Sequence, residues 1–256
     1  MEVKSVSGPT NEYLCLDIGN SRVKFAMVTA NEILCTGNLD DDNHLQKLLE
    51  QCKGVYIAAV GQPERLTRIM KTIKASHRPC QELHTSAQAF GLHCAYSNPA
   101  KLGLDRWLVM LGARRHSSKA FAVLDFGTAI TCDFVDHNGQ HHGGWICPGI
   151  QMMRQSLMQK TAQVTVNQQQ WYPGNIGKDT EECVDSGCLA LAKGLFDRAE
   201  QCLKNQFCDY EIFVCGGDSH RVVPDVTQRI CHMPELIFYG MMNFIGEKPR
   251  FQAELL

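Results

Sequence analysis

The sequence predicts an α/β protein built from two similar halves, each a mixed β-sheet with helices on its faces. Three observations predict it. The stretch Val123 to Asp136, VLDFGTAITCDFVD, is echoed at Leu14 to Val28, LCLDIGNSRVKFAMV: with Asp17 laid on Asp125, both read Leu-Asp-x-Gly, then small polar residues and a Phe. Within each half, short apolar runs bounded by turn residues alternate with apolar residues at helical spacing. The two copies lie 108 positions apart (125 minus 17) in a chain of 256 residues, enough for two domains of ordinary size.

In the first half, Tyr13 to Asp17 and Val23 to Val28 read as strands around the turn Ile18 to Arg22, and Glu32 to Thr36 as a third antiparallel strand after Ala30-Asn31. Leu45, Leu48, Leu49 and Cys52 fall on one helical face, Val55 to Val60 reads as a buried strand, and Leu66, Ile69, Met70 and Ile73 repeat the helical spacing. Gln81 to Thr85 is a further, weaker strand. The order β-β-β-α-β-α makes a mixed sheet covered by helices. The text YSNPAKLGLDR, residues 96 to 106, reads as a loop running into a helix that bears Trp107, Met110, Leu111 and Arg114.

The second half repeats the plan. Phe121 to Asp125 is a strand, Phe126 to Ala129 a crossing, and Ile130 to Asp136 the next strand. Asn138-Gly139 supplies a hairpin turn, and the chain returns to GGWICPG at 143 to 149. A helix is expected over 150 to 159 and a loop over 171 to 179. Thr180 with Glu181 and Glu182 is expected to cap a helix whose buried stripe is Val184, Cys188, Leu191 and Leu195. Ile212 to Cys215 reads as a strand ending in Gly216-Gly217-Asp218, and Met233 to Ile245 as either helix or strand. The expected domains are residues 1–118 and 119–256, with residues 1 to 11 a loose leader.

Composition excludes several classes. A formal net charge of −2 provides no basic field for nucleic acid or an anionic membrane, so neither is an expected partner. No apolar run is long enough to span a bilayer, and the N-terminus lacks the apolar core of a signal peptide; the expected compartment is the cytoplasm. Thirteen Cys is an odd number with no Cys-x-x-Cys pair, which suggests neither a complete disulfide framework nor a zinc knuckle, and most are expected to be reduced apolar fillers.

The two acidic turns carry the chemistry. Gly and short side chains leave backbone N–H groups pointing outward, a concavity suited to phosphate oxygens. An Asp beside such a turn repels phosphate, so Asp17 and Asp125 read either as holding a cation, or waters around one, that bridges to the phosphates, or as plain turn residues. Two copies facing each other would clamp a nucleotide's phosphates. Asn20, Ser21, Thr128 and Thr131 read either as donors to phosphate or as turn and cap formers. Lys24 reads either as a reach to the β- or γ-phosphate or as a solvated strand lysine. Asp105 at a loop-to-helix entry reads as a proton acceptor with Arg106 pairing a substrate anion, or the two form a surface ion pair. His141 and His142, adjacent on a strand, point to opposite faces and are not expected to share a metal.

Taken together, DIGNSRVKF (17 to 25), YSNPAKLGLDRW (96 to 107), DFGTAITCD (125 to 133), GGWICPG (143 to 149) and DTEECVDSG (179 to 187) resemble the type III pantothenate kinase family, in the same order and at similar spacing from about residue 13 to the end. The DxGN and DxGT pieces belong to the wider actin, sugar kinase and Hsp70 superfamily, so the resemblance implies the duplicated ribonuclease H-like α/β fold, two mixed-sheet domains flanking a nucleotide cleft. It implies ATP-dependent phosphorylation of the pantothenate 4′-hydroxyl, the first step towards coenzyme A. By position, Asp105 would accept the proton. Tyr96, Gly103, Leu104, Asp105, Arg106 and Thr180 would bind pantothenate, Thr180 across a homodimer interface. The ATP loop would comprise Asp17, Ile18, Gly19, Asn20, Ser21, Arg22, Val23 and Lys24, joined by Thr128. Asp17 would lie near Mg²⁺, and Asp125 would hold a monovalent cation, K⁺ or NH₄⁺. Family members tend to carry Thr at the place of Ser21, and Thr is expected at the place of Cys215. Two other readings use the same fold: a non-enzymatic regulatory protein like Bvg accessory factor, and a superfamily kinase with another acceptor.

Overall fold

In the first half, β1 (Tyr13–Ile18), β2 (Val23–Val28) and β3 (Ile33–Asn38) form an antiparallel meander, followed by α1 (Asp42–Gln51), β4 (Val55–Ala59), α2 (Pro63–Ala75) and β5 (Cys80–Glu82). The structure is a computed structural model that describes residues 11–61, 63–160, 176–223 and 227–246. β1 pairs antiparallel with β2 and parallel with β4, giving the sheet order β3-β2-β1-β4-β5. As the central strand, β1 buries Leu14, Cys15, Leu16 and Ile18 together, which is why it reads as a continuous apolar run. The Asp41 side chain caps α1 by accepting from His44 N–H at 2.7 Å, and Leu45, Leu48 and Leu49 bury its inner face.

A short hairpin, β6 (Gln88–Ala89) and β7 (Leu92–His93), precedes the loop to α3 (Leu104–His116). The sequence reading has no counterpart for this hairpin: it turns on Phe90 and Gly91, both at positive φ, and its strands are only two residues long. Helix α3 is buried from Arg106 to Ala113 on every side.

The second half runs β8 (Ala120–Phe126), β9 (Ala129–Val135), β10 (His141–Pro148), α4 (Ile150–Lys160), α5 (Thr180–Gln206), β11 (Tyr210–Cys215), α6 (Ser219–Val222), β12 (Ile230–His232) and α7 (Leu236–Met242). Its sheet order, β10-β9-β8-β11-β12, reproduces the first with every strand in its equivalent place. The segment after Met233 is a helix, settling the alternative its sequence left open.

The chain divides into two compact units, residues 1–90, 96–115 and 235–256, and residues 91–95 and 116–234. Helix α7 falls in the first unit together with α3. The reason is a close crossing of α3 and α7: a Cβ on Gly112 would meet Leu236 O at 2.2 Å, and one on Gly240 would meet Leu108 O at 1.9 Å. Neither position tolerates a side chain without separating the helices, at a cost of about 1–3 kcal/mol.

Along α5 the buried face is Val184, Asp185, Cys188, Leu189, Ala192, Ala199 and Leu203, while the expected Leu191 is 67% exposed. The small Ala192 takes the inward position beside it. All thirteen Cys are free thiols; ten are buried or half-buried, and Cys35, Cys183 and Cys208 are exposed. Burial pushes the thiols of Cys15, Cys52 and Cys147 up, as expected of packing residues. Among the described residues no helix is long and apolar enough to cross a membrane. The expected leader and most of the loop over 171 to 179 lie outside the described residues.

Candidate active site

In the first unit, Asp17 sits one residue before the end of β1, directly opposite Lys24 of β2, and both are half-buried. Buried Ile18 and Val23 pin the two ends of the turn, and Gly19 N–H closes it by donating to Arg22 O at 3.1 Å. Asn20, Ser21 and Arg22 are left exposed at its tip. Arg65 of α2 braces the turn from behind, its Nη1 donating to Gly19 O at 2.9 Å and to Asn20 O at 3.5 Å. The sequence reading assigned Arg65 no role, because a lone Arg on a helix carries no local signal for a loop 46 residues earlier. Gly61, just after β4 at φ 78°, lies so close to Asn20 that a Cβ there would meet Oδ1 at 2.2 Å.

The second unit builds the same device with a shorter turn. Asp125 of β8 is half-buried and opposite Thr131 of β9, so a hydroxyl stands where the first unit has an ammonium. Gly127 N–H donates to Ala129 O at 3.1 Å, leaving Thr128 exposed at the tip. Gly216, after β11 at φ 91°, is the counterpart of Gly61; a Cβ there would meet Asp125 Oδ1 at 2.4 Å and Phe126 N at 2.5 Å. Gly216 thus serves close packing against the acidic turn. Each turn presents one carboxylate and exposed hydroxyl or amide groups. Such hard oxygen donors suit Mg²⁺ or an alkali cation that keeps waters and phosphate oxygens as its other ligands. Among the described residues no group of three or more His, Cys, Asp and Glu side chains forms a transition-metal site. His141 and His142 do not converge: His141 is buried on Asp133, and His142 pairs with Asp136.

Asp105 and Arg106 open α3. The Asn98 side chain accepts from Ala100 N–H at 3.1 Å and starts the short 3₁₀ turn Pro99–Lys101. Leu102 is buried, and Gly103 O accepts the first helical bond from Trp107 N–H. Asp105 therefore sits in the first turn, where the helix dipole favours a carboxylate, and its Oδ1 accepts from Arg106 N–H at 2.8 Å. A Cβ on Gly103 would meet that same oxygen at 2.5 Å. Arg106 is only 4% exposed, so it lies in the interior and not at the surface. Its Nη1 donates to the Tyr96 hydroxyl at 3.2 Å, with the guanidinium carbon 5.9 Å from the Tyr96 ring centroid. Tyr96, Gly103, Leu104, Asp105 and Arg106 thus form one local cluster.

Thr180 belongs to a different feature. It is the first residue of α5, exposed, and does not cap the helix; Asp179 does, its side chain accepting from Glu182 N–H at 2.9 Å, while Glu182 reaches back to Lys178 N–H at 2.8 Å. The cap lies one residue before the expected Thr180, and Glu182 extends it by accepting from the residue ahead of the cap. Thr180 lines a cavity of about 940 Å³ between α4 and α5, with Met153, Leu157, Cys183, Val184 and Leu191 among its walls. Met152 and Ile176, next to lining residues in sequence, are 42% and 94% exposed, and Ile146, two residues before the lining Pro148, is 63% exposed. Arg154 and Asp185 lock α4 to α5 beneath it through a buried ion pair of 2.6 Å.

A family model described as type III pantothenate kinase matches residues 13–201. A type III pantothenate kinase of Pseudoalteromonas atlantica is 36% identical over 240 residues, 91% of this chain and 96% of the relative. One from Azotobacter vinelandii is 33% identical over 242 residues, 88% of this chain and 95% of the relative. Among solved structures, a conserved Baf family protein from Campylobacter jejuni shares the fold at 21% identity and a TM-score of 0.54, covering 91% of this chain and 96% of that one. A structure from Sinorhizobium meliloti named as a 2-dehydro-3-deoxygalactonokinase protein does so at 13% identity and a TM-score of 0.55, covering 90% and 96%. At these identities the two structures speak for the fold alone, the duplicated α/β fold of the sugar kinases.

Proposed function

The chain belongs to the type III pantothenate kinase family, and from that membership we infer its reaction: the ATP-dependent phosphorylation of pantothenate to 4′-phosphopantothenate in coenzyme A biosynthesis. The observation that carries this reading is the family match from residue 13 to 201, which takes in both acidic turns, the Gly103 to Arg106 cluster and Thr180 together.

In this reading the residues divide the work. The turn from Asp17 to Lys24 holds the ATP phosphates with its outward amides and hydroxyls, and Lys24 reaches the terminal phosphates. Thr128, at the tip of the second turn, is a further contact to ATP in this reading. When bound, Mg²⁺ near Asp17 and a monovalent cation at Asp125 offset the charge of carboxylates and phosphates. Tyr96 and Arg106, held to each other by their hydrogen bond, orient pantothenate, and Gly103 and Leu104 border its alcohol. Asp105 accepts the hydroxyl proton late, since phosphoryl transfer is loose and depends more on positioning than on a strong base.

We also propose a homodimer in which Thr180 reaches the partner's pantothenate. Its exposure on an apolar cavity wall, flanked by exposed Leu157 and Leu191, supports this, because such patches mark interaction surfaces. Thirteen free thiols support a reducing compartment, the cytoplasm.

The test is to incubate the protein with ATP, Mg²⁺ and K⁺ and a panel of alcohols including pantothenate, sugars and glycerol, and to identify the product by mass. Phosphopantothenate formed in clear preference is the expected result. Preferential phosphorylation of a sugar would replace this reading.

A further inference from the structure

The segment Gly91–Ala95 packs with the second unit, and its last residue is bonded directly to Tyr96. It runs parallel to residues 139–141: His93 bridges Gln140, and His93 N–H donates to Gly139 O at 2.9 Å. The approach is tight, for a Cβ on Gly139 would meet Gly91 O at 1.8 Å. In a regular parallel ladder the next amide, Ala95 N–H, would find the carbonyl of His141. That carbonyl instead accepts from Gln140 Nε2 at 2.8 Å, and β10 bulges between His141 and Gly143. The His141 ring takes over the missing rung, its Nδ1 accepting from Ala95 N–H at 3.3 Å.

An imidazole nitrogen that accepts carries no proton, so the proton resides on Nε2. Nε2 lies 2.9 Å from Asp133 Oδ1, with both side chains essentially inaccessible at 0% and 1% exposure. Asp133 thereby selects the tautomer that presents an acceptor to Ala95. Neither residue was given a role by the sequence reading or by the proposed mechanism.

We propose that Asp133 and His141 are positioning residues for pantothenate binding: they fix the backbone entering Tyr96, while Arg106 fixes the hydroxyl at its other end. This rests on the reading that Tyr96 contacts pantothenate. Loss of the Ala95 bond loosens the backbone where it enters Tyr96, which weakens acceptor binding without touching nucleotide binding.

Two substitutions separate the halves of the chain of bonds. His141→Asn keeps an acceptor near the place of Nδ1 but loses the reach to Asp133. His141→Gln keeps a donor near the place of Nε2 but presents no acceptor to Ala95. Steady-state kinetics with ATP and pantothenate are measured for both, beside Tyr96→Ala and thermal unfolding of each variant. The expected result is a roughly three- to tenfold higher pantothenate KM for His141→Gln, the scale of one lost hydrogen bond, with the ATP KM and kcat within about twofold of the parent. His141→Asn should keep a near-parental pantothenate KM yet unfold at lower temperature, because it deprives buried Asp133 of its imidazole partner. A pantothenate KM that follows unfolding temperature in both variants, or that moves in neither while Tyr96→Ala raises it, overturns the proposal and leaves the Tyr96 reading standing. An unchanged pantothenate KM in Tyr96→Ala overturns both.

Discussion

Asp17 and Lys24 face each other across the β1–β2 ladder, whereas the equivalent position of the second sheet pairs Asp125 with Thr131. The duplicated turns therefore differ in the residue opposite the carboxylate: a lysine in the first and a threonine in the second. The proposed reading, with terminal-phosphate contact at the first turn and a monovalent cation at the second, is tested first at Lys24. Lys24→Met should lower kcat/KM for ATP by roughly 10- to 100-fold, the scale of one lost charge-assisted contact strengthened in the transition state. Its urea midpoint should barely change, since a half-buried strand residue keeps its aliphatic stem. A parental kcat/KM would remove Lys24 from the phosphate site.

Asp105 and Gly103 give a paired test. Asp105→Asn should cut kcat by roughly 10²- to 10⁴-fold while ATP affinity, measured by equilibrium binding, stays near parental. Gly103→Ala presses a methyl group onto Asp105 Oδ1, which must rotate away because the obstacle is a side-chain tip and not backbone. A loss of about tenfold in kcat with an unchanged unfolding midpoint is expected, as misorientation of a reacting group is costly. Full activity in either variant would displace Asp105 from its role.

The second turn is tested through its cation. Activity is titrated with KCl at constant ionic strength maintained by tetramethylammonium chloride. The parent should be activated by K⁺, and Asp125→Asn should need at least about tenfold more K⁺ for half-activation, because a monovalent site loses its one formal charge. Gly216→Ala should also lose activation, since its methyl group would collide with both Asp125 Oδ1 and the Phe126 backbone at positive φ. Equal activation of parent and Asp125→Asn would refute a cation at this turn.

Arg154 and Asp185 test the support beneath Thr180. Both are almost fully buried, and Arg154 also donates to Gln151 Oε1 at 2.9 Å. Asp185→Ala should destabilise the chain by about 3–5 kcal/mol in urea unfolding, because it strands a guanidinium in the interior. The double variant Arg154→Met, Asp185→Leu should recover most of that loss, since apolar side chains of similar size avoid the desolvation cost altogether. A double variant no better than the single one would mean the pair does more than hold α4 to α5.

Much of the fold was legible because its signals are local. The turns at Gly19 and Gly127 announce themselves by Gly and short polar residues between apolar runs, and β2 and α4 begin where their sequence patterns begin. The strands β6, β7 and β12 and the helix α6 escaped because each is four residues or shorter, too brief for a period to register. Leu191 falls at helical spacing from Cys188 and Leu195, yet over the 27 residues of α5 the buried face runs one position on, through Ala192 and Ala199. The cluster of Tyr96, Gly103, Asp105 and Arg106 was readable because eleven consecutive residues hold all of it. Arg65 behind the first turn and Asp133 behind Ala95 were not readable, since each acts on residues distant in sequence.

By itself the sequence determined the duplication, the two acidic turns, the family and the order of most elements, all of which are written in residue identity and short-range spacing. Tertiary structure alone decided that α7 leaves its own repeat to cross α3 at Gly112 and Gly240, that Arg106 turns inward to Tyr96, and that an imidazole completes the rung beneath Ala95. The physical reason is that close packing and buried hydrogen bonds are properties of pairs brought together by the whole chain, and no single stretch encodes its distant partner.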